Sequence, residues 1–145
     1  MSSLRVVGFD PSLTNWGVVI AEYSLFTDAL TVNSVDVIKP VLPTGKQVRQ
    51  NSKDIESAYQ LTKGAIAAAQ DAQAIFVEVP VGSQSARAMA SYGLCVGILG
   101  ALRAQGIPFY EITAAEAKMV ATGRKTATKA EMIDWAVNQH PEAKW

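Results

Sequence analysis

Residues Leu4–Glu22 read LRVVGFDPSLTNWGVVIAE, and this stretch decides the fold. Two β-like runs, Leu4–Phe9 and Gly17–Ala21, flank a turn rich in Pro, Ser, Thr and Asn. The first run is nearly continuously apolar, as in a strand covered on both faces of its sheet. It ends in a single carboxylate, Asp10. An acid at the end of such a strand is poorly solvated and needs a positive partner, a metal ion among the options. Taken alone, Asp10 serves equally well as a turn cap, because Asp before Pro initiates turns.

The chain of 145 residues is expected to form one domain with a sizeable core. A hydrophobic fraction of 49% with 18% charged residues excludes the disordered class. No apolar run reaches the roughly 18 residues of a membrane span, and Leu94–Leu102 is broken by glycines. The start, MSSLRVVGFD, lacks a signal-peptide layout. Cys95 is the sole cysteine, which excludes an internal disulfide and a cysteine-based zinc site. A cytoplasmic setting follows as an expectation. Thirteen basic and thirteen acidic residues cancel, which argues against a protein that coats nucleic acid non-specifically but leaves room for a local basic patch.

Ala29–Lys39 alternates apolar and polar residues and reads as a third strand, with an irregularity at Asn33–Ser34. Lys46–Lys53 (KQVRQNSK) reads as a polar, basic linker. Ile55–Ala72 is a helix by its three- and four-residue spacings. Ala74–Val79 (AIFVEV) is a short apolar strand interrupted by Glu78 and stopped by Pro80. Glu78 thus repeats the setting of Asp10, a carboxylate at a buried strand's end before a turn. Ser83–Gln105 reads as a long helix capped by Ser83 or Ser85. Its Gly93, Gly97 and Gly100 share one face, which serves either tight packing on the chain's own sheet or a subunit interface. Ile107–Ile112 is a fifth strand, and Thr113 with Glu116 forms a capping box for a helix over Ala114–Ala121. Thr122–Thr128 is a flexible basic loop, and Lys129–Asn138 a last amphipathic helix capped by Thr128. The order β-β-β-α-β-α-β-α-α predicts an α/β fold. Its mixed five-stranded sheet has three antiparallel strands, then two parallel ones, with helices on both faces. If the first and fourth strands are parallel neighbours, Asp10 and Glu78 meet.

With those residues in place the chain resembles the RuvC-type Holliday junction resolvases of the RNase H/retroviral-integrase superfamily. Four features in the family's order carry the resemblance: GFDPSLTNWGVV with Asp10, FVEVP with Glu78, the glycine-bearing helix, and EAKMVATGRKTATKAEMI. In the last, Lys118 and Lys129 stand eleven apart, as the family's two functional lysines do. SQSAR after Glu78 is similar to phage members. The resemblance covers nearly the whole chain and implies an RNase H-like fold and a crossover junction endodeoxyribonuclease. It implies Asp10 and Glu78 as metal ligands, with two Mg²⁺ or Mn²⁺ ions per site, and Lys118 and Lys129 on the scissile or adjacent phosphates. The implied partners are branched DNA, in the form of a four-way junction, and a second copy of the chain.

Lys118, Arg124, Lys125 and Lys129 are four of the thirteen basic residues within twelve positions, and together they read as a phosphate-binding edge. Arg87, with Ser83 and Gln84 at the helix start, is a further candidate DNA contact. His140 reads as a surface residue. The family has two more acids on its last helix, which by counting from Lys129 fall just beyond Trp145; Asp134 lies too early and Glu142 lacks an acid-x-x-acid setting. Residues 1–145 are therefore expected to form a single RNase H-like nuclease domain lacking its C-terminal helix. With two of four ligands the chain should bind metal weakly, which keeps open a catalytically impaired module that binds branched DNA. An ATP-binding fold of the actin and sugar-kinase type would need two such halves and a longer chain.

Overall fold

The structure, a computed structural model, describes residues 2–45 and 48–145. Lys46 and Gln47, within the expected basic linker, lie outside the described residues. Strands β1 (Ser3–Asp10), β2 (Trp16–Ser24) and β3 (Leu30–Ile38) are followed by helix α1 (Gln50–Ala69), strand β4 (Ala74–Glu78) and helix α2 (Ala86–Ala104). Strand β5 (Tyr110–Ile112) and helices α3 (Ala114–Thr122) and α4 (Lys129–Gln139) complete the chain. The five strands form one sheet in the order β3-β2-β1-β4-β5. The pairs β1–β2 and β2–β3 are antiparallel, and β1–β4 and β4–β5 are parallel. This is the mixed sheet read from the sequence.

The irregularity at Asn33–Ser34 is a bulge. Ile20 pairs with Ser34 and Ala21 with Val32, so Asn33 is the extra residue. The edge N–H of Val32 beside it donates to Glu142 at 3.5 Å, so the tail caps a gap in an exposed edge.

Alternation in the strands sends Val7, Phe9, Trp16, Val18, Ile75 and Val77 to one face of the sheet. There they pack with Leu61 and Ala65 of α1 and with Cys95, Ile98, Leu99 and Leu102 of α2. Trp16 is fully buried against Phe9, edge to face, with ring centroids 5.7 Å apart. At Gly64 an added Cβ would lie 2.7 Å from the end of Ile38, so the glycine lets α1 seat on β3 without displacing that side chain. Burial of the Cys95 thiol pushes its pKa up to about 11 and leaves it an inert member of the core. The opposite face is covered in part by α3 and α4, which with Phe76 and Ile112 enclose an apolar recess of about 590 Å³.

Several boundaries differ from the expectations. Helix α1 begins at Gln50, five residues before Ile55. Its first turns are polar and held by hydrogen bonds, Gln50 to Asp54 at 3.0 Å among them, so hydrophobic periodicity does not register them. Strand β5 begins only at Tyr110. Pro108 has no N–H to give, and the Ile107 N–H closes the end of α2 on the Leu102 carbonyl at 3.1 Å. The cap of α2 is Ser85, whose hydroxyl accepts from the Ala88 N–H at 3.4 Å, so Ser83 and Gln84 precede the helix rather than open it. Thr122–Thr128, expected to be flexible, is a pinned elbow. Gly123 closes α3 with φ at 75°, the Thr122 hydroxyl donates to the Lys118 carbonyl at 2.8 Å, and Ala127 is buried.

The glycine face also differs from one of its two readings. A Cβ added at Gly93, Gly97 or Gly100 would meet no atom within 4 Å, so these residues do not pack on the chain's own sheet. Gly93 and Gly97 line an open groove between α1 and α2.

Candidate active site

Strands β1 and β4 run parallel, with Phe9 opposite Val77, so the next residue of each strand, Asp10 and Glu78, stands level with the other. Phe9 and Val77 point into the core, and Asp10 and Glu78 therefore share the opposite face. Both acids line one cleft of about 340 Å³, whose other walls include Gly8, Gly17, Val19, Phe76 and Ile112. Gly17 is the cross-strand partner of Asp10, and a Cβ there would come within 3.3 Å of the Asp10 Cβ. The glycine keeps the flank of that carboxylate open.

The electrostatics of the pair are those of an unneutralised dyad. Loss of water in the protein-lined recess raises the pKa of Asp10, open though it is on the cleft side, and Lys129 partly offsets the rise. Loss of water also raises Glu78; the charge of Asp10 raises it further, and Lys118 opposes both. Among the described residues neither carboxylate accepts a side-chain hydrogen bond, and neither lysine makes an ion-pair contact. The four expected catalytic residues are thus brought within electrostatic reach of one another, with the anions and cations held apart. Space between opposed charges is what a bound cation and a phosphate group would fill. Two carboxylate donors with no Cys or His suit a hard divalent ion such as Mg²⁺ or Mn²⁺. Among the described residues no third acid, His or Cys joins them in a group that could hold a metal.

The expected DNA contacts divide. Lys125 is exposed at the α3–α4 elbow, in the segment that joins the two lysines. Arg124 is paired with Glu131 in the first turn of α4. Arg87 is held bidentately by Asp54 of α1, at 2.8 and 3.0 Å, and so ties the start of α2 to α1. The backbone N–H of Ser83 rests on the Met89 sulfur at 2.9 Å, and Gln84 is exposed. His140 is half-buried rather than a free surface group, bound to Glu142 at 3.0 Å. Sequence reasoning missed the stacked pair Phe76–Tyr110, with centroids 5.3 Å apart. Strict alternation within AIFVE assigns Phe76 to the face of Glu78, a signal that the overall apolarity of the run conceals.

No protein-family model matches the chain, and no curated protein is significantly similar in sequence. Solved structures do match. Thermus thermophilus RuvC in complex with Holliday junction substrate has a TM-score of 0.69 at 18% identity, over 95% of this chain and 80% of that one. A second Thermus thermophilus RuvC structure gives 0.69 at 19% identity, over 93% and 79% of the two chains. The yeast mitochondrial Holliday junction resolvase Ydc2 gives 0.61 at 14% identity, over 93% of this chain and 61% of that one. The fold is RNase H-like, of the RuvC resolvase type, as the sequence motifs led one to expect.

The raised acids have a measurable consequence. A carboxyl with a raised folded-state pKa holds its proton more tightly in the folded chain than in the unfolded one. Above the ordinary 3.8 of Asp10 the native state therefore binds more protons, and stability falls as pH rises toward the raised value. The loss persists at neutral pH. Asp10→Asn should accordingly raise the Tm at pH 7 in the presence of a chelator, and the gain should vanish below about pH 3.8. Thermal unfolding followed by circular dichroism checks this; an unchanged or lower Tm at pH 7 contradicts it.

Proposed function

We propose that the chain is a metal-dependent, structure-selective endonuclease that resolves four-way DNA junctions by paired symmetric nicks. The observation that carries this reading is the level pair Asp10 and Glu78, faced by Lys129 and Lys118, in a fold of the RuvC resolvase type. The two carboxylates would hold Mg²⁺ or Mn²⁺, two ions per site by the resemblance. Bound there, such ions supply an activated water and charge neutralisation at the phosphate. The remaining work falls to this chain's own groups. Lys118 and Lys129 hold the phosphate and offset the charge that develops on it. Gly17 leaves the flank of Asp10 clear for the DNA backbone. Lys125 supplies a further phosphate contact, and Ser83 and Gln84, on the loop after Glu78, supply others. Arg124 and Arg87 contact DNA only by exchanging Glu131 and Asp54 for phosphate.

A synthetic four-way junction with Mg²⁺ tests the reading. The native protein should yield symmetric nicks. Asp10→Asn and Glu78→Gln should abolish them without loss of junction binding, and Lys118→Ala or Lys129→Ala should slow them about 10²–10³-fold. A second reading, a module that binds branched DNA without cutting it, is favoured by the lack of a third acid beside the pair among the described residues. Binding without cleavage by the native protein would decide for it.

Paired nicks need two sites related by a two-fold axis. We propose that α2 supplies the contact. From Ala88 to Leu102 it carries no charged residue, and Met89 and Val96 are exposed on it, beside the groove that Gly93 and Gly97 share with Ile55 and Ala58 of α1. Such an uncharged helix face suits a second copy of itself. A Cβ added at Gly97 meets no atom within 4 Å and the position is exposed, so Gly97→Glu should leave the fold intact and convert a dimer to a monomer in sedimentation equilibrium. A dimer that survives the substitution would exclude this surface.

A further inference from the structure

Lys39, Arg49 and Lys53, at the two ends of the connection between β3 and α1, take no part in the site described above. Lys39 follows Ile38, and Ile38 pairs with Trp16, the residue before the Gly17 that faces Asp10. Lys39 therefore lies at the same end of the sheet as Asp10, two strands away, or about 10 Å laterally. Arg49 is the N-cap residue of α1, and its carbonyl accepts the Lys53 N–H at 3.2 Å. Lys53 lines a cavity of about 270 Å³ together with Leu13 and Thr14, from the turn that follows Asp10, and with Pro40 and Leu42. The Val41 N–H donates to Gln60 Oε1 at 2.8 Å, and Gln60 Nε2 donates back to the Val41 carbonyl at 2.7 Å, so Val41 is fastened to α1 through both of its backbone groups.

The three cations make no direct ion pair among the described residues. Asp54 is the acid lining that cavity, and Arg87 holds it bidentately, so the two neutralise each other. Glu56 accepts from Gln60 at 2.9 Å further along the helix. Lys39, Arg49 and Lys53 thus stay free of any direct ion pair around the end of the sheet where Asp10 lies, with Asp36 of β3 and Glu56 of α1 as the acids beside them in sequence.

We infer that Lys39, Arg49 and Lys53 form a second phosphate-binding rim, which takes the backbone of a DNA arm leaving the cleft on the β3 side. Duplex DNA carries about one charge per 1.7 Å of axis, so a rim that begins at Lys39, about 10 Å laterally from Asp10, meets phosphates other than the one at Asp10 and Glu78. The cations bind without reading sequence, and they align the arm across the cleft. The inference rests on the nuclease reading, since it is the cleft that fixes where the DNA enters.

The test compares the native chain with the triple variant K39Q/R49Q/K53Q, titrated against a synthetic four-way junction without divalent metal over a range of salt. The variant should bind at least about tenfold more weakly, and the slope of log K against log salt should become shallower by about 0.9 for each phosphate that the rim no longer neutralises. Lys63→Gln, about 15 Å further along α1, should change neither quantity. Native affinity and native slope in a folded triple variant would overturn the rim and leave the nuclease reading standing. Failure of the native protein to bind the junction at all would overturn both.

Discussion

The parallel pairing of β1 with β4 is the constraint on which the rest depends. Because Phe9 and Val77 are opposed and both turned into the core, the next residue on each strand must emerge on the other face, side by side. The apolar residues that drive the two strands together therefore bring two carboxylates together as well. Burial of the strands does the folding, and the cost appears at their ends, where Asp10 and Glu78 lose water and repel one another. Such a pair is an unfavourable element of the isolated fold, and a cation bound between the two would relieve it.

The surroundings keep that state available. Lys118 and Lys129 sit near enough to lower the proton affinity of the acids and make no ion pair with them. The elbow that joins the two lysines is held by a glycine with positive φ, a threonine hydrogen bond and one buried alanine, so their separation follows from the fold rather than from direct attraction. Arginines in the same regions are treated differently. Arg87 and Arg124 are each committed to a carboxylate, which leaves Lys118, Lys125 and Lys129 as the cations of the α3–α4 segment without an ion pair among the described residues. A flexible ammonium on an unpaired side chain adapts to a moving phosphate more readily than a guanidinium fixed in a fork.

Much of this was legible in the residues. The runs ending at Asp10 and Glu78, the Thr113–Glu116 capping box and the bulge near Asn33 all follow from patterns of a few residues, where local chemistry dominates. What escaped depends on interactions that apolar spacing does not record. The first turns of α1 are fixed by hydrogen bonds between polar side chains. The partner of Arg87 lies thirty-three residues away. The orientation of the glycine face of α2 is decided by how the helix rolls on the sheet, which periodicity leaves open when small and apolar residues surround the whole helix. The proposed function of the site rests, on the sequence side, on the ordered set of motifs, because a single acid before a proline has an adequate structural role of its own.

The role of the two carboxylates turns on where a divalent ion binds. The direct measurement is the anomalous scattering of Mn²⁺ in crystals of the chain bound to a four-way junction. Manganese held by the carboxylates of Asp10 and Glu78, with a backbone phosphate against Lys118 and Lys129, is the predicted result. A bound junction whose backbone passes away from the two acids, with no manganese between them, would contradict it.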